Sequence, residues 1–576
     1  MGEFKPTDEQ KTIIEYDGAA FITACPGAGK TRCIVERART LLAKSGKRQG
    51  LAFLSFTNAA VSELQDRLAR GQLLPAPAFP HFVGTFDSFV WHYMVQPFGM
   101  DVTSAPLRIV PDKGEIIVTP FQGAQGLRLD VFDHKTGVIN WKKAADFGFK
   151  RNRNPRPYEA AAQSLRARLL ENGQLDFDDI RQAAKTNLEK AAFSERLARV
   201  LRARFGEVIV DEAQDCNPAD LAIVDWLRRQ AQIPTKIVCD PHQSIYGFRG
   251  GISEELFQYS ETFENGERLS LSGNFRSSTQ ICKAVHMLRA PSQRGDQDQA
   301  LGEEKDCGIK VHVLSYSGQG VSPQIGQAFA TLAEVHGIEL KQCRVTAKTR
   351  SSGRKAIGAY SEKVGNALSL RLAGAVMAFH HGENEKDQYK AIIAAHTVLL
   401  DISGDLGERT YHQAIIQDDI NPMSWRGIVV KILRSLKFDP ELGHTRAEWV
   451  ARARDAFMPF LAPAGSTIGQ KLSNNSKLDA ILGAKPASGL IPRTIHEVKG
   501  KEYAGMCVVL TTANANAVLT HLENEPDKSK AEDAREIYVA ASRAQSLLVF
   551  ACPKSQASRL KKHIVSGGAD VELIEI

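Results

Sequence analysis

Ala24-Cys25-Pro26-Gly27-Ala28-Gly29-Lys30-Thr31 follows a short apolar run, Ala20–Thr23, and precedes an amphipathic stretch. A strand that feeds a glycine-rich turn and then a helix turns backbone N–H groups and the positive helix end toward anionic oxygens, the arrangement that cradles nucleotide phosphates. Pro26, Gly27, Ala28 and Gly29 are therefore the expected cradle, Lys30 the cation that reaches the β- and γ-phosphates, and Thr31 the hydroxyl that holds Mg²⁺. Ala24 stands where the strict GxxxxGK[ST] pattern has its first glycine, a departure that weakens the pattern more than the chemistry.

Some 180 residues further on comes Val208-Ile209-Val210-Asp211-Glu212-Ala213-Gln214-Asp215. Asp211, ending an apolar strand, suits the same Mg²⁺, and Glu212 beside it suits orientation and deprotonation of an attacking water. Together the two segments predict a nucleoside-triphosphate-hydrolysing motor.

Further apolar runs that end in polar or glycine-rich turns lie at Leu51–Phe56, Lys236–Cys239, Val311–Leu314, Met506–Leu510 and Leu547–Ala551. They read as buried parallel strands. Several feed helical patterns such as Ala59–Leu68, so the predicted class is α/β with doubly wound parallel sheets.

Two stretches interrupt the alternation. The first, 91–200, carries an expected hairpin (Arg128–Phe132, turn Asp133–Gly137, Val138–Trp141) and then a basic segment. The second, 356–489, is mainly helical, with amphipathic candidates at Gln388–Leu400, Trp425–Leu436 and Thr445–Phe460. The polar stretch Ala290–Asp306 reads as a mobile loop.

The 576 residues, 43% hydrophobic and 24% charged, suit a soluble chain of three or four compact units, and no apolar run is long enough for a membrane span. The N-terminus lacks an apolar signal core. Nine cysteines, none in a CxxC pair, predict a reduced cytoplasmic setting without a zinc, iron–sulfur or disulfide framework. The net charge of +7 is modest, yet Trp141–Leu170 alone holds eight Lys and Arg against Asp146 and Glu159. Trp141, Phe147, Phe149 and Tyr158 are interleaved there, a mixture suited to phosphate contacts and base stacking.

The order of these motifs resembles that of the UvrD/Rep/PcrA-like superfamily 1A helicases over about half of the chain, from Gln10 to Arg543. The resemblance implies two RecA-like domains, 1–90 with 201–275 and 276–355 with 490–576, facing each other across one ATP. It makes 91–200 a mixed α/β insertion of the 1B type and 356–489 a reduced, mainly helical insertion of the 2B type. Closing and opening of the ATP cleft would move single-stranded DNA in the 3′ to 5′ direction.

Thr7-Asp8-Glu9-Gln10 resembles the family's Q motif, which implies that Gln10 reads the adenine edge. Arg32 and Phe275 resemble the pair that stacks on the adenine ring. In Lys236–Gly250, Asp240 and Gln243 are implied to sense the γ-phosphate and Tyr246, Phe248 and Arg249 to touch DNA. Asn274-Phe275-Arg276-Ser277 and Tyr538–Ala544 resemble the arginine-finger motifs, with Arg276 and Arg543 as the fingers. Phe56-Thr57-Asn58-Ala59-Ala60, Gly84-Thr85-Phe86-Asp87-Ser88 and Thr494–Glu502 resemble the strand-binding motifs. They imply DNA contacts from Phe56, Thr57, Asn58, Thr85, Phe86, His496 and Lys499, with Glu502 in the nucleotide site.

Three residues depart from the family pattern: Asp87 replaces His, Phe248 replaces Trp and Lys501 replaces Leu. Asp87 puts a negative charge where a strand backbone should pass. The second insertion is short for a 2B subdomain, so translocation is better supported than duplex unwinding. The expected partner is single-stranded or 3′-tailed DNA. An alternative is a DNA-sensing ATPase that licenses a partner nuclease, resembling the compact UvrD-like proteins of Gabija-type anti-phage systems, and RNA remodelling is a third reading. The histidines, including His380-His381, show no metal-ligand spacing, so the only metal expected is the nucleotide's Mg²⁺.

Overall fold

Runs such as Gly50–Ser55 and Thr235–Cys239 are buried at every position, as expected of strands covered on both faces. The computed structural model describes residues 4–576 apart from 44–48, 74–78, 112, 122–123, 135, 148, 150, 152–153, 246–252, 319, 359–366, 382–384, 408, 410, 412–413, 416–417, 439–442, 463–464, 483–488 and 526–530. Its contacts divide the chain into two units, one of 1–110, 169–358 and 487–576, the other of 111–168 and 359–486.

The first unit holds two six-stranded sheets. One is built from β1 (Ala20–Ala24), β2 (Gly50–Ser55), β3 (Phe82–Thr85), β4 (Phe205–Val210), β5 (Thr235–Cys239) and β6 (Arg268–Leu271), in the order β6-β1-β5-β4-β2-β3. The other contains β7 (Val311–Tyr316), β8 (Cys343–Ala347), β9 (Ile491–Thr494), β10 (Tyr503–Val509), β11 (Ala544–Pro553) and β12 (Val571–Glu575), in the order β9-β8-β10-β11-β7-β12. Every neighbouring pair in both sheets is parallel. Parallel pairing brings all carboxyl ends to one edge of each sheet, where crossover loops gather and ligands bind in such folds.

All seven anticipated strands form. The five that sequence pattern did not reveal are β3, β6, β8, β9 and β12; four of these are sheet edges, and β3 and β9 are only half-buried along their length. Side chains open to solvent on one side carry no continuous apolar signal.

The first insertion is shorter than expected. Phe89, Val90, Met94 and Val95 are fully buried in the same core as Val208, Val210 and Phe205, and so are Ile180, Ala184 and Leu201 from the helices Phe177–Leu188 and Ala191–Arg204. Residues 91–110 and 169–200 therefore belong to the first sheet's layer. The expected mobile loop Ala290–Asp306 is also corrected: Arg289 and Asp298 form a buried ion pair, Ser292 donates to Glu525, and Gln299–Ala300 pairs with Gly273–Asn274.

In the second unit, Leu127–Arg128 pairs antiparallel with Ile117–Val118, and the expected hairpin reduces to a single bridge between Phe132 and Ile139. Trp141 starts a helix, Trp141–Asp146, whose N-terminus is capped by the Asn140 side chain. Phe149 and Tyr158 are buried with their ring centroids 4.9 Å apart, and Arg166 donates to the carbonyls of Asp133, Leu129 and Phe132. Phe149 and Tyr158 thus form a local core and offer no face for bases, whereas Trp141 is half-buried and Phe147 is exposed. Lys150 and Arg153 lie outside the described residues. Helices Leu368–His381, Glu385–Ser403, Pro422–Ser435 and Arg446–Phe457 enclose a core of Val398, Ile402, Leu433, Trp449 and Phe457. Within it, His396 stacks on Trp425 at 3.7 Å and shares a hydrogen bond with the Tyr411 hydroxyl.

All nine cysteines are free, and burial raises the Cys25 thiol well above its ordinary range, which leaves it poorly reactive. Among the described residues no helix is long and apolar enough to cross a membrane.

Candidate nucleotide site and strand-binding motifs

Beyond β1 the chain turns through Gly27 and Gly29, both with left-handed backbone (φ +73° and +76°), and enters the helix Lys30–Ala43. Glycine adopts that conformation without the Cβ penalty. At Gly27 the space is also closed: a Cβ would come within 2.6 Å of Arg276 Cβ and Asn274 Oδ1. Ala24 is the last residue of β1, outside the left-handed positions, so nothing there calls for the missing glycine. The first N–H groups of the helix have no intrahelical partner and face the turn.

A cavity of about 530 Å³ opens in front of this turn. It is lined by Gly27, Ala28, Gly29, Lys30, Thr31 and Arg32 from the loop, by Asp211, Glu212, Asp215 and Gln243 from the ends of β4 and β5, and by Phe275, Arg276, Glu502 and Arg543. Its size falls within the range of small-molecule sites. Pro26 is buried behind the loop.

Charge is arranged closely around this space. Lys30 Nζ lies 3.7 Å from Glu212 Oε1. Burial pulls the lysine's pKa down, but Glu212, Asp240 and Asp211 outweigh it and hold the ammonium charged. Burial would raise Glu212 as well, yet Lys30, Lys499 and Arg543 lower it and keep it a carboxylate, the form a base requires. Asp211 is raised by burial and by its neighbour Glu212, which outweigh the opposing pull of Lys30. Glu212 has left-handed backbone (φ +57°), a strained state for a non-glycine residue, and its N–H donates to Asp211 Oδ1 at 2.9 Å.

These groups are joined by a chain of hydrogen bonds. Gln214 donates to Glu212 and accepts from Asp240 N–H; Gln243 Nε2 donates to Asp240 Oδ2 at 2.7 Å; Arg543 Nη2 donates to Gln243 Oε1 at 2.6 Å. Arg543 is buried, and burial together with Arg276 pushes its guanidinium down to about 10. Arg276 is held by the Ser542 carbonyl and by Glu502 at 2.7 Å.

Thr31 and Asp211 face one cavity and offer a hydroxyl and a carboxylate, a hard-oxygen pair that fits Mg²⁺. Phe275, 38% exposed, and Arg32 line the same cavity.

The remaining expected residues are distributed less simply. Gln10 is buried and already engaged: Thr7 N–H donates to its Oε1 and its Nε2 donates to Ala28 O at 3.1 Å, so here it braces the phosphate loop and is not among the residues lining the cavity. Phe86 is fully buried and corrects the expectation of a DNA-facing ring; Phe56, stacked on it at 5.3 Å, is the half-exposed one. Thr57 and Thr85 cap the helices Asn58–Arg70 and Phe86–Val90, and Asn58 is exposed. His496 and Lys499 line the nucleotide cavity. Lys499 is buried, 2.6 Å from Asp215 Oδ1, and donates to Gln243 O, a position on the nucleotide side that its motif did not suggest. Tyr246, Phe248 and Arg249 lie outside the described residues. Sequence reading gave no roles to Gln214 and Asp215; their place directly after the acidic pair was the available signal.

The UvrD/REP helicase N-terminal domain matches residues 6–110 and 123–264, which contain the phosphate loop, the acidic pair and the Gln243 segment. Over this region the chain is similar to the UvrD-like superfamily 1 helicases. Among relatives of this family, YjcD of Bacillus subtilis, named as a candidate ATP-dependent DNA helicase, is 22% identical over 96% of this chain and 79% of its own length. The ATP-dependent DNA helicase PcrA of Bacillus subtilis is 24% identical over 56% of the chain and 45% of its own length. DNA helicase II of Escherichia coli is 26% identical over 46% and 38%. The chain thus spans less than half the length of the last two family members.

Proposed function

We propose that the protein is an ATP-dependent motor that translocates 3′ to 5′ on single-stranded DNA and separates duplexes that carry a 3′ tail. The observation that carries this reading is the hydrogen-bonded path Glu212–Gln214–Asp240–Gln243–Arg543, which joins the end of the first sheet to an arginine next to the second. Such a path makes the geometry at the γ-phosphate depend on how the two RecA-like halves meet.

In the proposed cycle, Lys30 and the loop N–H groups hold the phosphates, and Phe275 and Arg32 flank the base. Glu212 accepts the proton of the attacking water, and Gln243 orients that water or the γ-phosphate. Arg276 and Arg543 leave Glu502 and Gln243 to meet the charge developing on the transferred phosphoryl group. Mg²⁺ held by Thr31 and Asp211 would neutralise phosphate charge. The same rearrangement would shift Phe56, Thr57, Asn58 and Thr85 along the strand, with contacts that read no sequence.

The test is ATP hydrolysis by the purified chain with and without single-stranded DNA, followed by strand displacement from duplexes with a 3′ or a 5′ tail. DNA-stimulated hydrolysis with displacement only from the 3′-tailed duplex is expected. Stimulation without displacement favours the sensor that acts through a partner, and hydrolysis indifferent to DNA overturns both readings.

A further inference from the structure

Asp87 follows Thr85 and Phe86 in a motif implied to touch the strand, and its carboxylate is 26% exposed on the helix Phe86–Val90. Arg181, from the helix Phe177–Leu188, lies 2.6 Å from Asp87 Oδ1. The same guanidinium donates from Nε to Asp220 Oδ1 at 2.7 Å, and Asp220 is 1% exposed. Asp178, largely in solvent, completes the cluster at 3.4 Å. Burial acts against the charge on Arg181, but Asp220, Asp87 and Asp178 outweigh it and keep the guanidinium protonated. Asp220 caps its own helix by accepting from Asn217 N–H, which fixes the anchor from which Arg181 reaches Asp87.

We propose that Arg181 is a positioning residue for strand binding: clamped on Asp220, it neutralises Asp87 and fixes the helix Phe86–Val90, so that a DNA phosphate can pass Thr85. This rests on the DNA-motor reading above. A bare carboxylate at position 87 repels phosphates at close range, and Arg181 supplies the opposite charge from the protein side, where it makes no phosphate contact of its own. The clamp also orients Thr85, whose Oγ1 caps this helix by accepting from Ser88 N–H.

The test measures the affinity for a fluorescein-labelled oligothymidylate at several salt concentrations, together with DNA-free ATP hydrolysis and Tm. Arg181→Gln should weaken binding roughly three- to tenfold, most at low salt, with DNA-free hydrolysis retained. Adding Asp87→Asn should restore most of the lost affinity, which a purely structural arginine would not permit. If Arg181→Gln fails to fold because Asp220 is left charged in the interior, the comparison of Asp87 with Asp87→Asn is made in the Arg181→Gln/Asp220→Asn background, where Asp87→Asn should tighten binding by a similar factor. Wild-type protein that binds DNA, with Arg181→Gln unchanged or not rescued by Asp87→Asn, overturns this inference alone. Wild-type protein that hydrolyses ATP but never binds the oligonucleotide overturns the DNA reading and the inference with it.

Discussion

Replacing Arg543 by Gln should separate catalysis from stability. The guanidinium is 3% exposed, and burial and the like charge of Arg276 hold it at about 10, well below the ordinary arginine value of about 12.5. That gap corresponds to about 3 kcal/mol of strain in the charged form, which an arriving γ-phosphate can relieve. An amide at position 543 ends near the place of Arg543 Nε, which donates to Val539 O, and stops short of Gln243 Oε1, so the path to Glu212 loses its terminal hydrogen bond together with the finger. The expected result is a fall in kcat of about a hundredfold or more, with the KM for ATP changed several-fold at most. Tm in the absence of nucleotide should be unchanged or slightly raised, because a poorly compensated buried charge has gone. The assay is steady-state hydrolysis at saturating single-stranded DNA, paired with thermal unfolding. A folded Arg543→Gln protein whose kcat stays within roughly fivefold of wild type would refute the assignment of Arg543 as a finger.

Arg37 and Glu207, both 3% exposed, form an ion pair under the first sheet at 2.7 Å. Arg37→Met should cost about 3–5 kcal/mol by leaving a buried carboxylate, read from urea unfolding, and Glu207→Gln in the same chain should recover part of it. Phe56→Ala should weaken single-strand binding by about 1–3 kcal/mol while leaving DNA-free hydrolysis intact; equal affinity would remove Phe56 from the strand path. Burial lowers His396 to about 4. The unfolded chain therefore binds the extra proton first, so the stabilisation is complete above about pH 6.5 and is lost as pH falls toward about 4. The loss is at most about 3 kcal/mol, and melts followed by the fluorescence of Trp425 should show it, whereas His396→Phe should flatten the dependence.

Chemistry that depends on neighbours in the chain could be read from sequence. The phosphate loop, the acidic pair and the strands that deliver them are each local patterns of turn, charge and apolar run, and the structure brings Lys30, Thr31, Asp211, Glu212, Gln243, Arg276 and Arg543 to one cavity. Pairings across long separations were hidden. Lys499 reads as a strand contact in its motif, yet its nearest carboxylate belongs to Asp215, 284 residues earlier. Asp87 reads as an unwelcome charge until Arg181 is placed beside it. Aromatic rings were ambiguous for another reason: Phe86, Phe149 and Tyr158 occupy positions where a ring could serve either a core or a base, and burial decided for the core.

The contact at Gly27 makes this residue a spacer gauge between the phosphate loop and the finger segment. Phe275 N–H donates to Gly27 O at 2.9 Å, and the next side chain, Arg276, occupies the volume that any Cβ at position 27 would need. A single added methyl would act as a shim, holding the finger segment off the loop by a fraction of an ångström while leaving Lys30 and Thr31 chemically unaltered. The distance between the phosphate loop and the finger segment is therefore set by the bare backbone at one residue.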